Sequence, residues 1–224
     1  VKTVVTKRRT TKKVQVKKTA MIRKRKIKFS WHKYLAVLLV LTAVTFIGWK
    51  IWNSDTVQMR FVYMWDYQQD IITYSEKNNV DPFLIAAIIK NESNFKHTAV
   101  SGVGAVGLMQ IMPETGRWIA EQMGLENYHD DDLYLTKTNI RMGCWYIGEL
   151  DHEFKHNLAL VMIAYNAGRG QTRQWMEKNG WDYSFNDVKA IPYPDTREYV
   201  IKVLHDRDKY YLLYKNKLPN KNFR

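Results

Sequence analysis

Glu92 is the side chain whose setting asks for chemistry. It closes the apolar run of "FLIAAIIKNES", and at helical spacing it shares a stripe with Leu84 and Ile88, a position that charged groups ordinarily avoid. Burial there disfavours the ionised carboxylate and raises its pKa, which keeps a glutamic acid protonated near neutral pH. Such a donor suits cleavage of a glycosidic bond, whose leaving oxygen needs a proton. Standing alone, Glu92 would read better as a carboxylate at a helix C-terminus facing solvent. Ordinary glycosidases set two acids across the bond, and no second one stands out: Asp130, Asp131 and Asp132 form a polar loop, and Glu114 follows Pro113 at a helix start, where its charge suits the dipole.

Two other motifs carry chemistry by pattern. Residues 102–107, "GVGAVG", match the dinucleotide-binding glycines letter for letter, but that fingerprint needs a preceding strand inside a βαβ unit, and here a helical run precedes it and "LMQIMP" follows. The stretch reads as a loop. Residues 152–156, "HEFKH", match the zinc-peptidase pattern of two histidines one helical turn apart with a glutamate between them. A helix that buries Leu150, Phe154 and Leu158 turns His152 and His156 to the wet side, and no third ligand is evident. No metal site and no cofactor is expected.

The elements that must position Glu92 read as helices. "VDPFLIAAIIKNES" opens with Asp81 as N-cap and Pro82 at the first helical position. Further helices are predicted in "ETGRWIAEQMGL", "TKTNIRMGCWYIGEL", "NLALVMIAYNAG", which stops at Asn166 and Gly168, and "DTREYVIKVLHDRDKYYLLYKN". Loops are expected near 96–113, 126–136 and 179–195. Nothing alternates with period two for long, so the fold class is all-α. Tyr128, Tyr134, Tyr146, Tyr165, Trp175 and Tyr193 are candidate sugar-stacking walls.

The net charge of +13 over 224 residues belongs to one end. Residues 1–33 hold fourteen Lys and Arg and no acid, which leaves −1 for everything after Lys33. Sixteen uncharged residues follow before Lys50, flanked by Trp31, Trp49 and Trp52, a span suited to a bilayer. The domains expected are a basic cytoplasmic tail at 1–33, a transmembrane anchor at 34–52, a juxtamembrane amphipathic helix at 53–73 and a catalytic domain at 74–218. The cation-rich side faces the cytoplasm and the domain lies outside the cell membrane, on the cell-wall side, in a single-pass arrangement. The tail serves as an orientation signal and solvated arm, so no nucleic acid is expected as a partner. Cys144 is the single cysteine and excludes an intramolecular disulfide.

"ESNF…AVSGVGAVGLMQIMPETG", "AYNAGRG" and "IPYPDTREYV" together resemble the lysozyme-like catalytic domain of soluble-type lytic transglycosylases, in the same order, from about Tyr74 to Lys215. The resemblance implies a goose-type lysozyme/transglycosylase fold preceded by a single transmembrane helix, acting on peptidoglycan glycan strands. It implies Glu92 as the one catalytic acid and base. Ser101, Met109, Gln110 and Met112 match residues lining the sugar site, Tyr165 and Asn166 match the pair that shapes the groove, and Tyr199 matches the tyrosine against the catalytic carboxylate. Asp195 stands where the family usually has Glu, and Arg169 where Pro is common; the latter is expected to matter little. The reaction implied cuts the bond between N-acetylmuramic acid and N-acetylglucosamine and closes a 1,6-anhydro ring. A hydrolytic muramidase on the same fold, a zinc peptidase built on "HEFKH" and a non-catalytic wall-binding scaffold are the competing functions. The cytoplasmic membrane and an envelope or secretion machine are the further partners considered.

Overall fold

The structure, a computed structural model, describes residues 31–218; the expected tail at 1–33 falls almost entirely outside them. The chain divides into two units, Val1–Gly48 and Trp49–Arg224. Helix α1, Trp31–Trp52, is an unbroken 22-residue helix with no buried residue, the one helix among the described residues long and apolar enough to cross a membrane.

The second unit is built from helices, without named strands among the described residues. In chain order they are α2 (Asp55–Phe61), α3 (Gln68–Lys77), α4 (Pro82–Ser93), α5 (Pro113–Gln122), α6 (Thr136–Glu153), α7 (Leu158–Ala167), α8 (Arg169–Asn179) and α9 (Pro194–Tyr214), with 3₁₀ turns at Asp130–Tyr134, Val188–Ala190 and Lys215–Lys217. α4 starts as its sequence asks: Asp81 accepts from the Phe83 amide at 2.9 Å and Pro82 occupies the first turn. It carries no amphipathic stripe, because every residue from Pro82 to Ile89 is buried. α7 is buried from Ala159 to Ala164, so both helices belong to the core, and the acid-bearing helix packs chiefly against α9.

The single juxtamembrane helix expected over 53–73 is two helices. α2 ends at Phe61 and α3 begins at Gln68, after Tyr67 in a left-handed conformation with φ 54°. Tertiary packing explains the break. Tyr63 turns into the core and sets its ring edge-on to Tyr210, while Trp65 packs against Tyr214 and Phe83. The carbonyls of Tyr63 and Met64 accept instead from the hydroxyls of Tyr214 and Tyr210, each at 2.7 Å, so leaving the helix strands neither group. Phe61, the last residue of α2, is exposed.

Helix α8 is the element that the periodicity did not announce. Its sequence, "RGQTRQWMEKN", is mostly polar, and only Thr172, Trp175 and Met176 are buried. It follows α7 through one residue, Gly168 at φ 90°, which ends the first helix and starts the second.

Candidate active site

The loop between α4 and α5 wraps the end of α4. Isolated bridges pair Val100 with Val106 and Val106 with Ile111, so the glycine-rich segment is a pinned loop without a nucleotide-binding strand before it. Asn139, buried on α6, holds it from within: its Oδ1 accepts from the Met109 amide at 2.8 Å, and its Nδ2 donates to the carbonyls of Val106 (3.0 Å) and Leu133 (2.8 Å). A Cβ on Gly107 would lie 2.3 Å from Asn139 Nδ2 and 2.4 Å from the Leu133 carbonyl oxygen, and φ there is 80°. Glycine is required at 107 by that approach. Ser93 Oγ donates to the Leu108 carbonyl at 2.8 Å, and the Tyr165 hydroxyl to the Met109 carbonyl at 2.6 Å. Loop, α4, α6 and α7 therefore share one hydrogen-bonded floor.

Over that floor opens a cleft of about 460 Å³ lined by Glu92, Ser101, Gln110, Met112, Tyr165 and Asn166, with Val103, Thr115, Tyr146 and Gly168 among the other walls. Among the described residues Glu92 is the only carboxylate in the lining. Tyr199, from α9, stands against it and donates its hydroxyl to Glu92 Oε1 at 2.7 Å. Burial pushes the Glu92 carboxyl up from 4.5 to about 7, against a smaller lowering from the Tyr199 hydrogen bond. Its place in the last turn of α4 acts in the same direction as burial, since the negative end of the helix dipole disfavours a carboxylate. Burial, and then the charge of Glu92, hold the Tyr199 phenol well above its ordinary value, so it remains a donor. Thr196 ties α9 to α7 by donating to Asn166 Oδ1 at 2.9 Å.

Pattern, loop geometry and the paired helices agree with one family. The transglycosylase SLT domain matches residues 69–187. The chain belongs to that family. It is 32% identical over 161 residues to the soluble lytic murein transglycosylase of Salmonella typhimurium, covering 70% of this chain and 24% of that protein. To the membrane-bound lytic murein transglycosylase E of Buchnera aphidicola it is 41% identical over 149 residues, covering 62% of this chain and 66% of that one. The crystal structure of the 70 kDa soluble lytic transglycosylase from Escherichia coli superposes with a TM-score of 0.63 at 30% identity, covering 73% of this chain and 26% of that chain. The chain thus spans about a quarter of the length of the soluble relatives it matches.

The SLT domain's cleft brings together the site residues read from sequence, Tyr199 from beyond the matched residues through its bond to Glu92, with one exception. The Met109 side chain is fully buried and does not line the cleft; a Cβ on Gly143 would meet its sulfur at 2.1 Å, so it fills a core gap while its backbone anchors the floor. Gln110, at φ 46°, lines the cleft and donates to the carbonyls of Gly107 and Ala99. Of the six aromatic candidates, Tyr146 and Tyr165 are walls, whereas Trp175 and Tyr193 stack on each other at 3.6 Å. Thr115 was missed, although its place three residues beyond Met112, at the start of α5, could have found it.

The zinc-peptidase pattern does not form. α6 ends at Glu153, and Lys155 and His156 have φ 53° and 62°, so the two histidines do not share a helical face. Glu153 is engaged by Arg169 and Arg173, and His156 Nδ1 meets Asp151 at 2.6 Å. Among the described residues no three His, Cys, Asp or Glu side chains group to hold a metal. Arg169, expected to matter little, holds a partly buried ion pair beside the cleft.

Proposed function

We propose that this chain is a membrane-anchored lytic transglycosylase that cleaves the β-1,4 bond between N-acetylmuramic acid and N-acetylglucosamine in peptidoglycan. The observation that carries this reading is Glu92: one carboxyl, held near pKa 7 by burial, in a cleft that offers no second acid. A lone group must act twice. Protonated Glu92 gives its proton to the glycosidic oxygen, which departs with the bonding electrons as the 4-hydroxyl of N-acetylglucosamine. Positive charge at C1 of the muramic acid is stabilised by the oxygen of its own acetamido group. The Glu92 carboxylate then removes the proton of the 6-hydroxyl, whose oxygen closes onto C1 and leaves Glu92 as it began. No water enters.

Tyr199 holds Glu92 Oε1 while the carboxyl changes charge, and Gln110 and Asn166 offer amides to the acetamido group. Ser101, with its Oγ accepting from the Ala105 amide, is left with a hydroxyl proton to donate into the cleft. Helix α1 serves as the anchor, with residues 1–33 in the cytoplasm and the domain on the wall side. Relatives named as membrane-bound support the anchoring, and protease accessibility in intact and opened cells tests the orientation.

The deciding experiment is the mass of fragments released from purified peptidoglycan by the full chain. Anhydro ends lack one water relative to reducing ends. The proposal expects anhydro ends and a fall in rate of roughly a thousandfold or more in Glu92→Gln. Reducing ends would identify a hydrolytic muramidase, and full activity in Glu92→Gln would overturn the assignment of the acid.

A further inference from the structure

Side chains that the reaction does not use adjoin the cleft at Tyr146. Thr115 lines the cleft, and Trp118, on the same face of α5 three residues later, packs edge-on to Tyr146 at 6.0 Å and tilted to Trp145 at 5.8 Å. Gly168 also lines the cleft, and Arg169 follows it directly. The Arg169 guanidinium lies 5.1 Å from the centre of the Trp118 ring, and its Nε bonds Glu153. Arg173, one turn along α8, brings a terminal nitrogen to 2.7 Å from the other Glu153 oxygen.

Two cations therefore converge on one carboxylate, and the carboxylate is the inner member. Glu153 is 12% exposed, against 35% for Arg169 and 64% for Arg173. Glu149, one turn earlier on α6, forms no ion pair with either arginine among the described residues. The cluster keeps one positive charge in surplus, presented outward beside an aromatic wall. Glu153 and Trp118 also fix where that charge sits: a guanidinium held by a carboxylate and laid over an indole loses less freedom on meeting a ligand than a free side chain would. Arg169 spends only Nε on Glu153, so its terminal nitrogens are left to face a second carboxylate.

We propose that Arg169 and Arg173, seated on Glu153 and Trp118 at the end of the cleft, form a subsite for a carboxylate on the peptide carried by the glycan. The proposal rests on the reading that the cleft takes peptidoglycan, whose muramic acid bears an acidic peptide through its lactyl ether. It makes the peptide, as well as the sugar backbone, something the enzyme selects.

Calorimetry on the full chain in detergent, carrying Glu92→Gln so that ligand is not consumed, tests this with three soluble glycan fragments: peptide-bearing, stripped of peptide by an amidase, and peptide-bearing with its carboxylates converted to amides. The peptide-bearing fragment is expected to bind about tenfold tighter than either other form, equivalent to about 1.4 kcal/mol. Adding Arg173→Gln, or separately Arg169→Lys, which keeps the charge on Glu153 but loses the planar fork, should bring that ratio toward one; the melting temperature reports that each variant is folded. Equal binding of the three fragments overturns the subsite and leaves the proposed activity standing. A ratio that survives in both arginine variants also overturns it. Binding of none of the fragments would sink both proposals together.

Discussion

Replacing Glu92 by Gln should stabilise the protein, and only above a definite pH. Folding raises the Glu92 carboxyl from 4.5 to about 7, so the native state holds this proton more tightly than the unfolded chain does. The stability that goes with it is complete below pH 4.5 and is lost as pH climbs through about 7. At about 1.36 kcal/mol per pKa unit, the loss approaches about 3 kcal/mol. The glutamine side chain has the shape of the protonated acid and nothing to ionise, and its amide oxygen can still accept from Tyr199. Glu92→Gln and the parent should therefore melt alike near pH 4.5, diverge between 4.5 and 7, and stay apart above it. For a domain of this size about 3 kcal/mol corresponds to roughly 6–12 °C in Tm. Near-ultraviolet circular dichroism of the full chain in detergent, melted at pH 4.5, 6, 7 and 8.5, follows the difference. A Tm gap that does not change across that range refutes the claim that folding forces Glu92 to keep its proton.

Tyr199→Phe removes the interaction that lowers the Glu92 pKa, so the alkaline limb of the pH profile of kcat/KM, expected near 7, should move up by about one unit; an unmoved limb would show that the hydroxyl does not reach the carboxyl during turnover. Asn139→Ala, beneath the cleft and not among its lining residues, strands the Met109 amide and the Leu133 carbonyl inside the protein and takes one of two donors from the Val106 carbonyl; it should cost about 2–4 kcal/mol in denaturant melts, with the loop at 99–111 exchanging its amides faster, and a loss under about 0.5 kcal/mol would mean water replaces the side chain.

What the sequence disclosed were features fixed by local rules. The start of α4 is set by Asp81 and Pro82, the end of α7 by Gly168, and Glu92 is marked by an acid closing an apolar run. What it hid was decided by distant partners. The apolar spacing over 53–73 reads as one helix because nothing local says that hydroxyls of Tyr210 and Tyr214, some 150 residues on, will take the carbonyls of Met64 and Tyr63. α8 is polar along most of its length, so its three buried side chains leave too faint a period to see. Met109 stands inside a run of cleft residues, and only the gap at Gly143 shows why its side chain turns inward. "HEFKH" fails for a reason invisible in its letters: Lys155 and His156 leave the helix in left-handed backbone, and Glu153 is taken by two arginines from α8.

The pKa of Glu92 is a balance that α9 helps to set, and the balance suits a group used twice. Burial alone would hold the proton so firmly that the acid would part with it reluctantly and the carboxylate, once formed, would not persist. A hydrogen bond from Tyr199 stabilises that carboxylate and pulls the other way. That bond exists because α9 is locked onto α4: Lys90 Nζ reaches Asp206 Oδ2 at 2.7 Å, Asn91 Nδ2 reaches the same oxygen at 2.9 Å, and Arg207 pairs with Asp81 at the N-cap of α4. These contacts lie one to three turns along α9 from Tyr199, on residues that line no cleft, yet they fix how far the phenol stands from the acid. Ion pairs at the surface contribute little to stability, but these bury an aspartate on each side, and leaving either unpaired would cost more than the pair itself contributes. The register of two helices, more than any group in the cleft, thus decides whether Glu92 can both give its proton and take another.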